Sequence, residues 1–121
     1  MKRLLPFLLI GCVSAHEMVP TYPKLTASHV PGVLKTEMEM FNKRQDVQFY
    51  EIGVFDSDWN PVPFVTSYRL LKIEYLGHVK FDVFIREIDA GRADYICSRS
   101  KLRNLNDKET LVSSKICSRL K

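Results

Sequence analysis

What this sequence lacks narrows the field before any motif is read. No apolar run among its 121 residues approaches the roughly 20 that a membrane-spanning helix needs. No window of about ten residues carries apolar side chains at helical spacing, which excludes a helical bundle. Gly-x-Ser-x-Gly, a phosphate-cradling glycine loop and His-Glu-x-x-His are all missing. His16, His29 and His78 stand alone, without ligand spacing to one another or to a cysteine. Glu37, Glu39, Asp82 and Asp94 fall where a strand turns outward, as on a solvated face. No enzyme, no metal and no cofactor is expected.

What is present begins with charge. The chain carries a net charge of +4, unevenly spread. Residues 98–121 hold seven Lys and Arg against two acids, whereas the rest holds 11 basic residues against 12 acidic ones. A basic end of this kind meets phosphate, anionic lipid or an acidic partner, or is simply a solvated strand surface. Nucleic acid is not expected, because no aromatic residue follows Tyr95 to interleave with those cations.

Strand signals run from residue 24 onward. Leu34, Thr36, Met38 and Met40 alternate with Lys35, Glu37 and Glu39 after the turn word Val30-Pro-Gly32. Asn42-Lys-Arg-Gln-Asp46 reads as a polar turn. Val47 and Phe49, then Tyr50, Ile52 and Val54, form the next strand, with a phase slip at Phe49-Tyr50 that predicts a bulge. Asp56-Ser-Asp-Trp-Asn60 is a tight polar loop bearing the only tryptophan. It begins like a calcium loop, but Pro61 and Ser67 stand where that loop needs glycine and glutamate, so a turn capped by side chains is the better reading. Trp59 is either a contact at the loop tip or a lid over one end of the core. Phe64, Thr66 and Tyr68 lead to the word Leu70–Tyr75, and Val79, Phe81, Val83 and Ile85 alternate with Lys80, Asp82, Phe84 and Arg86. Asp89-Ala-Gly91 turns the chain, and Ala93, Tyr95 and Cys97 begin another strand. The expected fold is all-β: an immunoglobulin-like antiparallel β-sandwich of about seven strands, preceded by an N-terminal signal segment.

The start, Met1-Lys-Arg3 followed by Leu4-Leu-Pro-Phe-Leu-Leu-Ile10, resembles an export signal. Leu9-Ile-Gly-Cys12 is similar to the lipobox of bacterial lipoproteins, in which the cysteine is lipidated and becomes the mature N-terminus. Val13-Ser-Ala15 before His16 fits ordinary signal cleavage instead. The lipobox is preferred because the apolar run is short and Gly11-Cys12 follows it directly. Residues 1–15 are thus an export signal, the proline-bearing residues 16–23 a linker, and residues 24–121 the sandwich domain. If Cys12 carries lipid, Cys97 and Cys117 remain in near-identical words, Ile96-Cys-Ser-Arg99 and Ile116-Cys-Ser-Arg119. A hairpin turning near Asp107 would set them face to face, as a disulfide or as two buried thiols.

Two family resemblances follow. Asp89-Ala-Gly91 with Tyr95-Ile-Cys97 is similar to the strand-F signature of immunoglobulin domains, where a tyrosine two residues before a cysteine pins a corner. The order of words in residues 24–121 resembles the N-terminal immunoglobulin-like domain of periplasmic pilus-assembly chaperones. Its matches are Val30-Pro-Gly32 through Asn42, Pro63-Phe-Val65, and the mixed basic and apolar strand at residues 111–121. The basic pair with which that family holds a client carboxylate meets Thr26, with Lys24 nearby, and Lys115 or Cys117 here. Together with the lipobox at Cys12, the resemblance implies an exported, membrane-anchored protein of the periplasm or outer envelope that binds another polypeptide, with strand addition as the mode natural to this fold. The contact residues expected are Trp59, Arg99, Lys101, Lys115 and Arg119. An envelope-blocking lipoprotein of phage origin and a structural envelope or virion-decorating module are the alternatives.

Overall fold

A computed structural model of the chain describes residues 16–101 and 114–120. The export signal, Cys12 and the turn near Asp107 lie outside the described residues.

Period-two alternation fixes the two long strands of the first sheet. β3 (Val33–Asn42) buries Thr36, Met38, Met40 and Asn42, and its antiparallel neighbour β7 (His78–Arg86) buries Phe81, Val83 and Ile85. β1 (His16–Val19) and β2 (Thr26–Ala27) both pair with β3, and β5 (Val65–Thr66) pairs with the other side of β7. The second sheet runs β6 (Leu70–Lys72), β4 (Phe49–Phe55), β8 (Tyr95–Lys101) and β9 (Lys115–Arg119), antiparallel throughout. Its inner face supplies Tyr50, Ile52, Val54, Leu71 and Ile96 to one core shared with the first sheet. One helical turn, α1 (Glu87–Ala90), carries the chain from β7 toward β8, its Asp89 buried and held by Arg86 and Arg92.

The fold is the expected immunoglobulin-like sandwich, with nine strands among the described residues. Several local expectations need correction. Residues 16–19, expected in a linker, form β1, because His16 and Met18 are both buried against the core. No bulge interrupts β4: its ladder with β8 runs unbroken from Phe49↔Lys101 to Phe55↔Tyr95, and Val47 reaches the core from the preceding loop. The strand expected through Phe64 and Tyr68 shrinks to two residues in the opposite sheet. Pro61 and Pro63 cannot donate to a continuing ladder. The Leu70–Tyr75 word forms only three strand residues.

Asn42 is the largest departure. Expected in a solvated turn, it ends β3 fully buried, and its amide ties three segments together. Nδ2 donates to the carbonyls of Val47 and Ile73, both at 2.8 Å, while Oδ1 accepts from the Arg44 N–H at 2.9 Å and from the Tyr50 hydroxyl. Its main chain completes the knot, donating to Gly77 and accepting from Leu76. Every polar position of the side chain is thus used, which is what lets an amide sit in an apolar core. Burial pushes the Tyr50 hydroxyl up to about 12, so it stays a donor at any physiological pH. Asn42→Ala would strand two buried carbonyls and a phenol. Urea titration should show a loss on the order of 3 kcal/mol, whereas an unchanged midpoint would contradict the role given to Asn42.

Candidate functional site

The side chains expected to make contacts converge on the outer face of the second sheet, and strand register explains why. Since Ile96, Ser98 and Ser100 point inward from β8, Tyr95, Cys97, Arg99 and Lys101 point outward. Pairing then builds rows across the face: Glu51 beside Arg99 and Lys115, Gly53 beside Cys97 and Cys117, Phe55 beside Tyr95 and Arg119.

The middle row is a depression. Gly53 presents no side chain, and the Cys97–Cys117 disulfide, closed across 20 residues, lies low between its neighbours. Cys97 is only 2% exposed. A trough of about 540 Å³ opens above this row, walled by Glu51, Arg99 and Lys115 on one side and by Phe55, Pro61 and Pro63 on another. Arg69 closes one end, its guanidinium over the Phe64 ring and donating to the Phe64 carbonyl at 3.1 Å.

The tryptophan loop leans over the next row. Asp56 Oδ1 accepts the N–H groups of Asp58 and Asn60, both at 2.9 Å, so the turn is capped by a side chain as expected. These donors hold the Asp56 carboxyl below the usual carboxylate range. The capped turn holds Trp59 at φ +66°, the left-handed region that bulky residues seldom adopt. From there the indole stacks on Tyr95 at 4.5 Å with 12° between the ring planes, and it remains 48% exposed. Trp59 therefore lies against the outer face of the second sheet and is not a lid over one end of the core. Tyr95, which the sequence places as a corner pin, is instead the base of this stack.

Of the expected contact residues, Lys115 sits centrally. Its Nζ lies 4.7 Å from the Trp59 ring centroid and 5.2 Å from that of Phe55. Arg119 lies over Tyr95 at 6.0 Å. Arg99 and Lys101 are spent differently, both reaching Glu51, at 3.8 and 3.4 Å. Sequence reading missed Phe55, Tyr95, Gly53 and Arg69. The usable signal was Gly53 and Phe55 alternating outward on a strand that precedes the tryptophan loop. The aromatic residues absent from the C-terminal tail thus reach its cations through pairing with β4 and through the loop.

Beneath the face, His16 exchanges hydrogen bonds with Ser98 Oγ at 2.9 Å and Ser114 Oγ at 3.1 Å, and its ring packs on Tyr50. This histidine, expected in a polar tether, is fully buried and clasps β1 to β8 and to the start of β9. Sealed from solvent, the cluster works as a clasp. Burial, opposed by the hydrogen bond at Ser98 and assisted by Arg44, lowers its pKa to about 4. No group of three or more His, Cys, Asp or Glu among the described residues could hold a metal ion.

No protein-family profile matches this chain, and no curated protein matches it. Solved structures do. The chain is similar to the Escherichia coli chaperone DraB, with a TM-score of 0.65 at 14% identity, covering 87% of this chain and 52% of that one. It is also similar to a chain of the Salmonella enterica complex of SafA pilin with the SafB chaperone, with a TM-score of 0.62 at 16% identity and the same coverage. A FixG-related protein from Vibrio parahaemolyticus matches with a TM-score of 0.51 at 17% identity, covering 89% of this chain and 96% of that one. The chain spans about half the length of the first two. At these identities the likeness is one of fold, and it bears out the resemblance to the immunoglobulin-like domains of pilus chaperones.

Two outcomes test this geometry. His16 has a folded pKa below its unfolded value near 6.5, so the unfolded chain binds the extra proton between those values. Stability should be complete above pH 6.5 and fall as pH drops toward 4, by on the order of 3 kcal/mol. A His16→Phe variant should lose that component in pH-dependent urea titrations, and an identical slope in both proteins would contradict the clasp. Replacing Cys97 and Cys117 by alanine reopens a loop of 20 residues and should cost about 3 kcal/mol by chain entropy. Differential scanning calorimetry under oxidising conditions checks this, and an unshifted transition would contradict it.

Proposed function

We propose that this chain is an exported, single-domain β-sandwich, held at the cell envelope by lipid on Cys12, that binds another polypeptide along β9 and the adjoining outer face. The reading of Cys12 rests on the sequence word Leu9-Ile-Gly-Cys12. Four peptide links separate Cys12 from the first residue of β1, a reach of about 14 Å at full extension, so a lipid there would keep the sandwich close to the bilayer. Intact mass of membrane-extracted protein distinguishes an acylated N-terminus at Cys12 from a free one at His16.

The observation that carries polypeptide binding is the edge of β9. Arg119 donates its N–H away from β8, to the Thr21 carbonyl at 3.0 Å, while Leu120 donates toward β8's side, to Asp94. Alternation therefore turns the N–H groups of Lys115 and Cys117 outward as well, and among the described residues neither has a partner. The two donors lie between the points where the N-terminal segment meets this edge, His16 at Ser114 and Thr21 at Arg119, beside a cation–aromatic face, and they are what an added strand would use. The chaperone DraB and the SafA–SafB complex among the similar folds support the same reading.

Photo-crosslinking in cells tests it. A benzophenone amino acid in place of Trp59 or Arg119 should yield polypeptide adducts, and one in place of Lys80 on the other sheet should not. Adducts at Lys80 alone, or at none of the three, would overturn the assignment of the binding edge.

A further inference from the structure

We propose that the turn at residues 74–77 is a membrane-contact tip, whose Tyr75 and Leu76 enter the interfacial layer of a bilayer beside the lipid on Cys12. The inference rests on the lipid-anchored reading of Cys12 and adds how the domain stands on the membrane.

Exposure and backbone strain meet at this turn. Leu76 is 69% exposed and Tyr75 45%, two adjacent large side chains outside the core cluster. A lone exposed leucine is ordinary on a protein surface. This one also sits at φ +63°, in the left-handed region, at the third position of a tight turn where glycine or asparagine is the usual choice. The Gly77 N–H closes the turn on the Glu74 carbonyl at 2.8 Å. Two more bonds clamp it to the end of β3: the Leu76 N–H donates to the Asn42 carbonyl at 2.7 Å, and the Asn42 N–H to the Gly77 carbonyl at 3.0 Å. The tip is thus fixed in place, and it holds a leucine out in water at a conformational cost that burial in the fold does little to offset.

The path of the chain supplies the occupant. His16, the first residue of β1, pairs with Asn42, so the N-terminal segment enters the fold beside the residue that clamps the turn. Tip and entry lie within two strand spacings, about 10 Å, and Cys12 lies within about 14 Å of the entry. A lipid there holds the tip at the bilayer at high effective concentration. A leucine and a tyrosine too weak to bind a membrane alone then add to the anchor. Tyrosine suits the headgroup level, where its ring is buried and its hydroxyl stays wet. The far end of the sandwich also exposes apolar side chains, Val30 and Ile88. Charge separates the two ends. Residues 17, 42–48, 72–78 and 101 hold four Lys and Arg against three acids, whereas residues 28–32, 56–61, 86–94 and 119 hold three Arg against five acids. The far end is repelled by an anionic bilayer, and the N-terminal segment does not enter there.

This contact stands the sandwich on end. β4 runs from Phe49, at the end that carries the tip, to Phe55 beside Tyr95, a span of about 20 Å. The Trp59–Tyr95 stack therefore points away from the bilayer, and the β9 edge stays open to a partner. The test reconstitutes the acylated mature protein in vesicles of phosphatidylglycerol and dibrominated phosphatidylcholine. Bromine quenches an indole only at close range, and Trp59 is the chain's only tryptophan. Trp59 of the native chain should go unquenched, whereas the indole of the double variant Trp59→Phe, Tyr75→Trp should be quenched. Adding Leu76→Gly should leave the urea midpoint unchanged or raise it, because glycine accepts that φ. It should also reduce the quenching roughly threefold or more, since the leucine's interfacial burial is lost. Circular dichroism confirms that each variant is folded, and if Trp59→Phe is not, Tyr75→Trp is compared with the native chain.

An unquenched indole at position 75, in protein that sediments with the vesicles, would overturn the tip while the lipid anchor stands. A mature N-terminus at His16 by intact mass would remove the anchor and overturn both. Quenching of Trp59 as strong as that at position 75, or quenching undiminished by Leu76→Gly, would also overturn the proposal. Polypeptide adducts from a benzophenone amino acid in place of Tyr75 in cells, without quenching by lipid, would give the tip to a protein instead.

Discussion

The register of β8 governs this molecule. It is the one strand of the second sheet that pairs on both sides with long neighbours, β4 and β9, and its alternation decides what faces the core and what faces out. A slip of one residue would bury Arg99 and expose Ile96. The Cys97–Cys117 bond pins the register on one side, joining residues that stand directly opposite. On the other side Gly53 stands opposite Cys97, which keeps the disulfide row low. The rows of cation, depression and aromatic ring all follow from that pairing.

Much of the architecture was legible because apolar alternation survives in the long strands. Val79 to Ile85 and Leu34 to Met40 read as half-buried strands and are so. Polar residues in the core were not legible. Asn42 and His16 look like surface residues in one dimension. Their burial depends on acceptors that arrive from distant segments, Val47 and Ile73 for the amide, Ser98 and Ser114 for the imidazole. A period-two pattern cannot report such partners, since it counts polarity and not satisfaction.

The same limit applied to the candidate site. Cys97, Cys117 and the cations of β8 and β9 were readable from their repeated words, and their facing arrangement follows from a hairpin. The Trp59–Tyr95 stack was not, because it needs the loop after β4 to fold back over β8. Asp56 supplies the means, tightening the turn with two main-chain hydrogen bonds and setting Trp59 in its left-handed conformation. Local turn chemistry thus determines whether the basic strand pair is only a solvated surface or half of a cation–aromatic face. The sandwich is similar in fold to DraB and to a chain of the SafA–SafB complex.

We propose that recognition runs along β9 and across the outer face of the second sheet. Amide hydrogen exchange on the partner-bound protein tests it most directly. Exchange should slow at Lys115 and Cys117, whose N–H groups point away from β8, and stay unchanged on β3 and β7. Protection confined to β3 and β7, with Lys115 and Cys117 exchanging as in the free protein, would contradict it.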